Sequence, residues 1–486
     1  MRLQSNIEDI PLLKIKKEYL KQITITKKRS FKPIEKYSIK FKVIEKEVNN
    51  QILNNDTNIS NGIFFYVSNI GKYNQDHLFE FNPLILKIEF DKKNITINTN
   101  IIKNGRYYSL KKGKHVFQLY EENKKLFSLK NLRFLLSPEN APICNIIVNK
   151  NTKGEFVSHG EAGAWNLNKK DLEKKGPPLI STPHGLIING KYTTINTYIN
   201  LFKKYYSISN GNKEKYFKLS NNQISHMHDF YITETYIILN CSIMTLKGSM
   251  ISSLLSPSFT NSVEMKKSTN NVYLFFNKNT FENVKSYELE DDNLYVGHQE
   301  YAYEDNNGNV IIYRQVSKNI EYSPYNIASL KNLKKEKPFF NPQILEKMIF
   351  NLNEDKIQIQ PYEFGSGFLC INQNFMKISK QNNKGLQYLY FNDMVISNGF
   401  ESIVAIDIYN NKQIGIWKKK NYFVGEPQII PNKKYPYDEK KTSIIFIIIN
   451  RENNDSFLII CNYKLVTLNK KKIDGSLNMG IHSSFY

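Results

Sequence analysis

Short runs in which apolar and polar positions alternate recur along almost the whole chain. Leu86-Lys87-Ile88-Glu89-Phe90 is a plain case, and Tyr231-Ile232-Thr233-Glu234-Thr235-Tyr236-Ile237-Ile238-Leu239 a longer one. A period of two sends successive side chains to opposite faces, the pattern of a β-strand. Ile63-Phe64-Phe65-Tyr66-Val67, Val272-Tyr273-Leu274-Phe275-Phe276, Val310-Ile311-Ile312-Tyr313, Ile403-Val404-Ala405-Ile406 and the run from Ile444 to Ile449 are β-branched and aromatic, and also read as strands. Between them lie Asn, Gly, Lys and Asp clusters that carry turn chemistry. Asn189-Gly190 and Asn307-Gly308 are two-residue hairpin signals, because both central positions of such a turn require positive φ. The chain is therefore expected to be all-β. No strict repeat marks a WD40 or kelch array.

Four histidines stand out by the stretches that flank them, and His228 falls most plainly at the mouth of a strand. His184, in Ser181-Thr182-Pro183-His184-Gly185, opens the run that begins at Ile187. His228, in Met227-His228-Asp229-Phe230, opens the long alternation at Tyr231. His298 lies in Gly297-His298-Gln299-Glu300-Tyr301-Ala302-Tyr303-Glu304-Asp305, and His482 in Met479-Gly480-Ile481-His482-Ser483-Ser484-Phe485-Tyr486. A histidine at a strand mouth can face a central cavity. Neutral imidazole suits iron, and four such ligands leave two octahedral positions open. Metal-bound histidines usually donate their second N–H to a carboxylate, so a site of this kind should also show acids. Glu161 lies in Gly160-Glu161-Ala162-Gly163 and Glu426 in Gly425-Glu426-Pro427, where each could equally be a strand-end charge facing solvent. His226 lies two residues before His228, on the same strand face, and competes with it as a ligand. His77, His115 and His159 read as surface or core residues.

In these contexts, and above all in the His-Asp-Phe string at 228, the chain resembles the carotenoid cleavage oxygenases, a family of non-haem iron enzymes. The resemblance runs from about Asn74 to Tyr486. It implies a seven-bladed β-propeller with the metal site on its axis and a small helical or loop cap over a substrate tunnel, since a propeller lets ligands from distant parts of the chain converge. It implies iron(II), Fe(2+), held by His184, His228, His298 and His482, with Glu161 and Glu426 orienting imidazoles. It also implies dioxygen and a hydrophobic polyene as substrates, a carotenoid or apocarotenoid cleaved at a carbon–carbon double bond into two carbonyl products. A third family carboxylate is missing: Gly367 stands at the nearest analogue, before Phe368-Leu369-Cys370-Ile371-Asn372. That departure motivates an alternative, a non-catalytic propeller that binds a lipid or partner. An isomerase or a stilbene-cleaving member of the same family is a further outcome.

Length adds a division into an N-terminal extension, 1–35, and one propeller domain, 36–486. The formal charge of +22 invites a nucleic-acid reading. The lysines are spread over nearly every turn, however, and arginine, the better fork for phosphate and base edges, is rare, so no nucleic-acid partner is expected. The segment 243–259 is apolar but too short and interrupted to span a bilayer, which suits peripheral membrane contact at a tunnel mouth. Met1 to Leu20 has no apolar core of a signal peptide. Cys144, Cys241, Cys370 and Cys461 have no metal-like spacing and read as free thiols of a reducing compartment. The expectation is an intracellular monomer, cytoplasmic or peripheral on a membrane, with organelle targeting left open. The 31 Tyr and 30 Phe are compatible with a tunnel gripping a conjugated rod.

Overall fold

The computed structural model describes residues 7–25, 42–59, 61–71, 81–113, 145–151, 153–160, 164–172, 180–182, 184–199, 204–221, 225, 227–241, 244–246, 263–265, 269–296, 301–317, 343–366, 369–370, 385–392, 401–480 and 482–486. The alternating and apolar runs singled out above lie in strands, with one correction: the run from Tyr231 to Leu239 is broken at 233–235 into Tyr231–Ile232 and Tyr236–Cys241, which pair antiparallel. Asn189 and Gly190 both have positive φ and close a two-residue hairpin in which Ile188 pairs with Lys191.

Seven antiparallel sheets form the blades of a β-propeller. Blade one combines the C-terminal strand Ser483–Phe485 with Gly62–Asn69, Pro83–Phe90, Asn94–Ile101 and Gln51–Asn54, so the two ends of the domain close the ring in one sheet. Blade two runs from Asn145–Lys150 through Phe156–Gly160 and Ala164–Asn166 to Asp171–Leu172. Blade three starts with the split strand Ile180–Ser181 and Leu186–Ile188, then Lys191–Ile199, Lys204–Ser209 and Glu214–Leu219. Blade four holds Tyr231–Ile232, Tyr236–Cys241, Val272–Asn277 and Asn283–Leu289. Blade five again starts split, Tyr295–Val296 and Tyr301–Glu304, followed by Val310–Ser317, Gln343–Asn351 and Lys356–Ser366. Blade six contains Leu369–Cys370, Tyr388–Asn392, Ser402–Asp407 and Lys412–Lys418. Blade seven opens on Tyr422–Val424 and Gln428–Ile430, then Ser443–Asn450, Asp455–Asn462 and Thr467–Ser476.

The blades are held side by side by apolar seams. Leu86 and Ile88 of blade one pack with Ile447 and Leu458 of blade seven, and Leu274 and Phe276 of blade four with Ile208 and Phe217 of blade three. Burying one such side chain contributes about 1.5–3 kcal/mol, which makes these seams the main source of stability. Blades two and three meet through His159, stacked on Tyr192 at 4.2 Å between centroids.

Of the expected extension 1–35, residues 7–25 are described. Its short strands pair in parallel with the last strands of three successive blades: Glu8–Ile10 with blade three, Leu13–Ile15 with blade four, and Lys17–Tyr19 and Ile23–Thr24 with blade five. One extended segment thus covers three sheet edges that would otherwise offer unpaired N–H and C=O groups. Lys17 reaches inward to a buried ion cluster between blades four and five, 3.3 Å from Asp292. There Arg314, fully buried, meets Asp292 at 2.6 Å, Glu346 at 2.7 Å and the Tyr273 hydroxyl at 3.0 Å. Burial pulls the Asp292 carboxyl up, but the Arg314 guanidinium and Lys17 ammonium outweigh it and hold it below the ordinary carboxylate range.

Candidate metal centre

Three of the four singled-out histidines meet where the first strands of the blades approach one another. His184 lies in the gap between the two halves of blade three's first strand, both of which pair with Lys191–Ile199. His228 precedes the first strand of blade four, and His482 the first strand of blade one. Their ligand-capable nitrogens all lie within 4.8 Å of one another. The His184 ring is 4.8 Å from that of His228, tilted by 56°, and 4.7 Å from that of His482, edge-on at 86°. His184 and His482 are buried, and His228 is partly exposed.

Each approach is fixed by contacts distant in sequence. Thr182 continues the sheet by donating its N–H to Ile195 at 2.8 Å, while its hydroxyl donates to the Met227 carbonyl at 3.2 Å, next to His228. Blades three and four are therefore tied at the two residues that carry His184 and His228. Gly185 admits no side chain, because a Cβ there would lie 2.2 Å from the Tyr192 ring and hydroxyl. On the opposite side of the centre the Tyr66 ring sits between two glycines. A Cβ on Gly425 would come to 2.8 Å from that ring, and the Gly480 N–H donates to the Tyr66 hydroxyl at 2.7 Å. A Cβ on Gly480 would in turn strike the Val67 carbonyl at 1.9 Å. The glycines beside Glu426 and His482 are thus demanded by close packing, and they bring those two residues together.

Glu426, buried between the two halves of blade seven's first strand, accepts from the Ser483 N–H at 2.7 Å and faces His482 Nδ1 at 3.3 Å with both oxygens. Ser483 returns a bond from its hydroxyl to the Glu426 carbonyl at 2.9 Å, and Gln428 donates to the Ser483 carbonyl at 3.0 Å. A carboxylate on Nδ1 selects the tautomer in which Nδ1 carries the proton and Nε2 presents its lone pair.

This donor set fits a transition-metal ion. An ion bonded at about 2.0–2.1 Å, the usual metal–imidazole length, holds its nitrogens roughly 3–4 Å apart, so the three rings need only a small closing movement. All three donors are imidazoles, which suits iron, zinc or copper better than calcium or magnesium. The carboxylate contacts a ring and a backbone N–H, in the position of an orienting partner.

The remaining expectations fall as follows. His298 lies outside the described residues, in the four-residue connection 297–300 between Tyr295–Val296 and Tyr301–Glu304, two strands that both pair with Val310–Ser317. Blades three, five and seven thus share a first strand split in two, with His184, His298 and Glu426 falling in the respective gaps of the sequence. Glu161, His226, His77, His115, and Gly367 and Phe368 lie outside the described residues as well. Of the segment 243–259, only Met244–Leu246 is described, a short strand paired with Val263–Met265. His159 is buried in the seam with Tyr192, as a core residue. Cys241 and Cys461 are buried free thiols, pushed up by burial, the latter to about 12. Thr182, Tyr66 and Ser483 were missed as site residues. Their sequence neighbours carried the signal, but what they touch lies on other blades. Among the described residues no helix is long and apolar enough to cross a membrane.

Comparison with known proteins bears on the whole chain. Residues 59–486 match the family model described as retinal pigment epithelial membrane protein. No curated protein matches the sequence. Among solved structures, cobalt-substituted Synechocystis apocarotenoid oxygenase is similar with a TM-score of 0.71 and 14% identity, over 94% of this chain and 97% of that one. A variant of the same Synechocystis enzyme gives 0.73 at 14% identity, over 92% and 97%. Pseudomonas brassicacearum lignostilbene dioxygenase gives 0.68 at 14% identity, over 94% and 99%. At such identities the structural likeness speaks for the propeller fold.

Proposed function

The chain belongs to the retinal pigment epithelial membrane protein family, that of the carotenoid cleavage oxygenases, and on that footing we propose that it is a non-haem iron(II) dioxygenase that cleaves a carbon–carbon double bond of a carotenoid or apocarotenoid into two carbonyl products. The observation that carries this reading is the convergence of His184, His228 and His482, with Glu426 on His482. The fourth ligand in the proposal is His298, from the gap in blade five's first strand, and Glu161 takes an orienting role like that of Glu426.

Iron(II) bound there would supply the activation of dioxygen. The protein's own residues do the rest. Glu426 holds the Nδ1 proton of His482, so that its other nitrogen faces the centre. Thr182 fixes the spacing of His184 and His228 through the Met227 carbonyl. Burial of His184 and His482 keeps water from one side, and the partly exposed His228 marks the side from which a substrate arrives. No side chain needs to act as acid or base, because the reaction inserts both oxygen atoms of O2 without net proton transfer. The apolar segment 243–259 is proposed to rest on a lipid surface from which such a substrate is drawn. Replacing Ile251, Leu254 and Leu255 by Ser should release the chain from liposomes without lowering its melting temperature; bound protein with a large loss of stability would return the segment to the core.

The test of function is anaerobic reconstitution with iron(II), followed by 18O2 and a carotenoid, an apocarotenal, a retinoid or a stilbene, with product analysis. Two carbonyl products labelled from 18O2 are expected from the first two, and none from His228→Ala. A metal-loaded chain that leaves all four intact, or converts one only to its isomer, would overturn the proposal.

A further inference from the structure

Between the histidine centre and the C-terminal residue runs a hydrogen-bonded route that the proposed chemistry does not use. Asn149, on the first strand of blade two and 2% exposed, donates from its side-chain amide to the carbonyl of Gly185 at 3.1 Å. Its amide oxygen accepts from the Tyr486 hydroxyl at 2.8 Å, and that hydroxyl also lies 2.8 Å from the Val148 carbonyl. The Gly185 carbonyl can only accept, which fixes the amide with its nitrogen toward Gly185 and its oxygen toward the phenol, whose one proton is shared between that oxygen and the Val148 carbonyl. Tyr486 is itself firmly placed. Its backbone exchanges two hydrogen bonds with Ile63, and its ring packs edge-on against Phe65 and Phe156.

The far end of the route is equally confined. Gly185 follows His184, and the Tyr192 phenol occupies the space over its Cα, braced by the stacked His159 ring. The Gly185 peptide is thus packed on one side and hydrogen-bonded on the other. Tyr486 meanwhile ends the strand that begins just after His482. The chain of contacts from blade one through blade two to blade three joins the backbone beside one histidine to the strand beside another.

We infer that Asn149 and Tyr486 are positioning residues for the metal centre, the phenol holding the amide and the amide holding the Gly185 peptide, so that His184 and His482 keep their mutual geometry. This rests on the reading that the histidines bind a metal. Removing the hydroxyl leaves the buried Asn149 oxygen without its donor, frees the amide to turn, and loosens the peptide that aims His184. Groups that orient metal ligands in this way typically change affinity by about ten- to a hundredfold.

Cobalt(II) is the probe, its visible spectrum reporting coordination and its affinity measured by titration of the full chain, with the melting temperature of the metal-free form recorded alongside. Tyr486→Phe keeps the ring and should weaken cobalt binding about tenfold, with a changed spectrum. Asn149→Ala should do the same, and the double variant should be no weaker than Asn149→Ala alone, because both act along one route. Tyr409→Phe removes another phenol hydroxyl, one that bonds the Gly385 carbonyl at 2.9 Å beside blade six and has no part in this route, and should leave affinity unchanged. Unaltered affinity in Tyr486→Phe, an equal loss in Tyr409→Phe, or multiplying effects in the double variant would each overturn the inference while leaving the metal site standing. If the unaltered chain does not bind cobalt, or His228→Ala binds it as well, the metal reading itself fails, and the inference with it.

Discussion

Two buried polar groups in this propeller solve opposite problems. The cluster between blades four and five brings Arg314 and Lys17 against Asp292 and Glu346, so charge is balanced and the guanidinium faces acceptors on several sides. At the histidine centre the carboxylate of Glu426 stands against Nδ1 of His482. Three imidazoles bring their ligand-capable nitrogens within 4.8 Å of one another. The first arrangement is closed and needs nothing further. The second is a set of donors aimed at a common point, and a metal ion is what would complete it. Burial and polarity alone therefore do not mark function; the direction in which the lone pairs point does.

The largest expected effect separates the two groups by stability. Arg314→Met leaves Glu346 buried without its cation and Asp292 with Lys17 alone, and breaking such a pair costs about 3–5 kcal/mol. Urea unfolding should show that loss, while the folded fraction keeps its metal affinity. A weakened metal site in folded Arg314→Met would mean that the two regions are not independent. Glu426→Gln should act the other way round: metal affinity falls by about ten- to a hundredfold, with the metal-free unfolding midpoint little changed. Undiminished affinity would reduce Glu426 to a strand-end hydrogen-bond acceptor for Ser483.

The smallest effect is in the pH dependence. Because the folded pKa of Asp292 is depressed, its contribution is full above the unfolded value, about 4, and is lost as pH falls through the lower folded value. One carboxylate gives a slope of at most about 1.4 kcal/mol per pH unit in that window. In Arg314→Met the acid-side slope should be shallower, since the larger of the two charge effects that depress Asp292 is gone and only that of Lys17 remains. Identical slopes in the two proteins would place the acid sensitivity elsewhere.

Much of this was legible in the residues because it is local. Period-two alternation located the strands, and Asn189-Gly190 its hairpin, since each depends on neighbours in sequence. The histidines could be singled out for the same reason: they sit at strand mouths with recognisable flanks. What the sequence could not show is which distant elements meet. Leu13-Lys14-Ile15 and Lys17-Glu18-Tyr19 are too short and too charged to announce themselves as strands, and their partners lie hundreds of residues away. The Tyr66 ring that requires glycine at 425 and the Val67 carbonyl that requires it at 480 give no local sign, nor does the Thr182 hydroxyl that reaches Met227. In a closed ring of blades, such long-range contacts decide the geometry of the axis.

The central claim is that the facing imidazoles form one metal centre. A crystal of the iron-reconstituted chain, with anomalous data collected on both sides of the iron edge, tests it most directly. The account predicts one strong peak per chain, about 2.1 Å from a nitrogen of each of His184, His228 and His482, with His298 as a fourth ligand and Glu426 still on His482 Nδ1. Stoichiometric iron with its peak elsewhere, or a peak that leaves any of the three histidines beyond bonding distance, would contradict it.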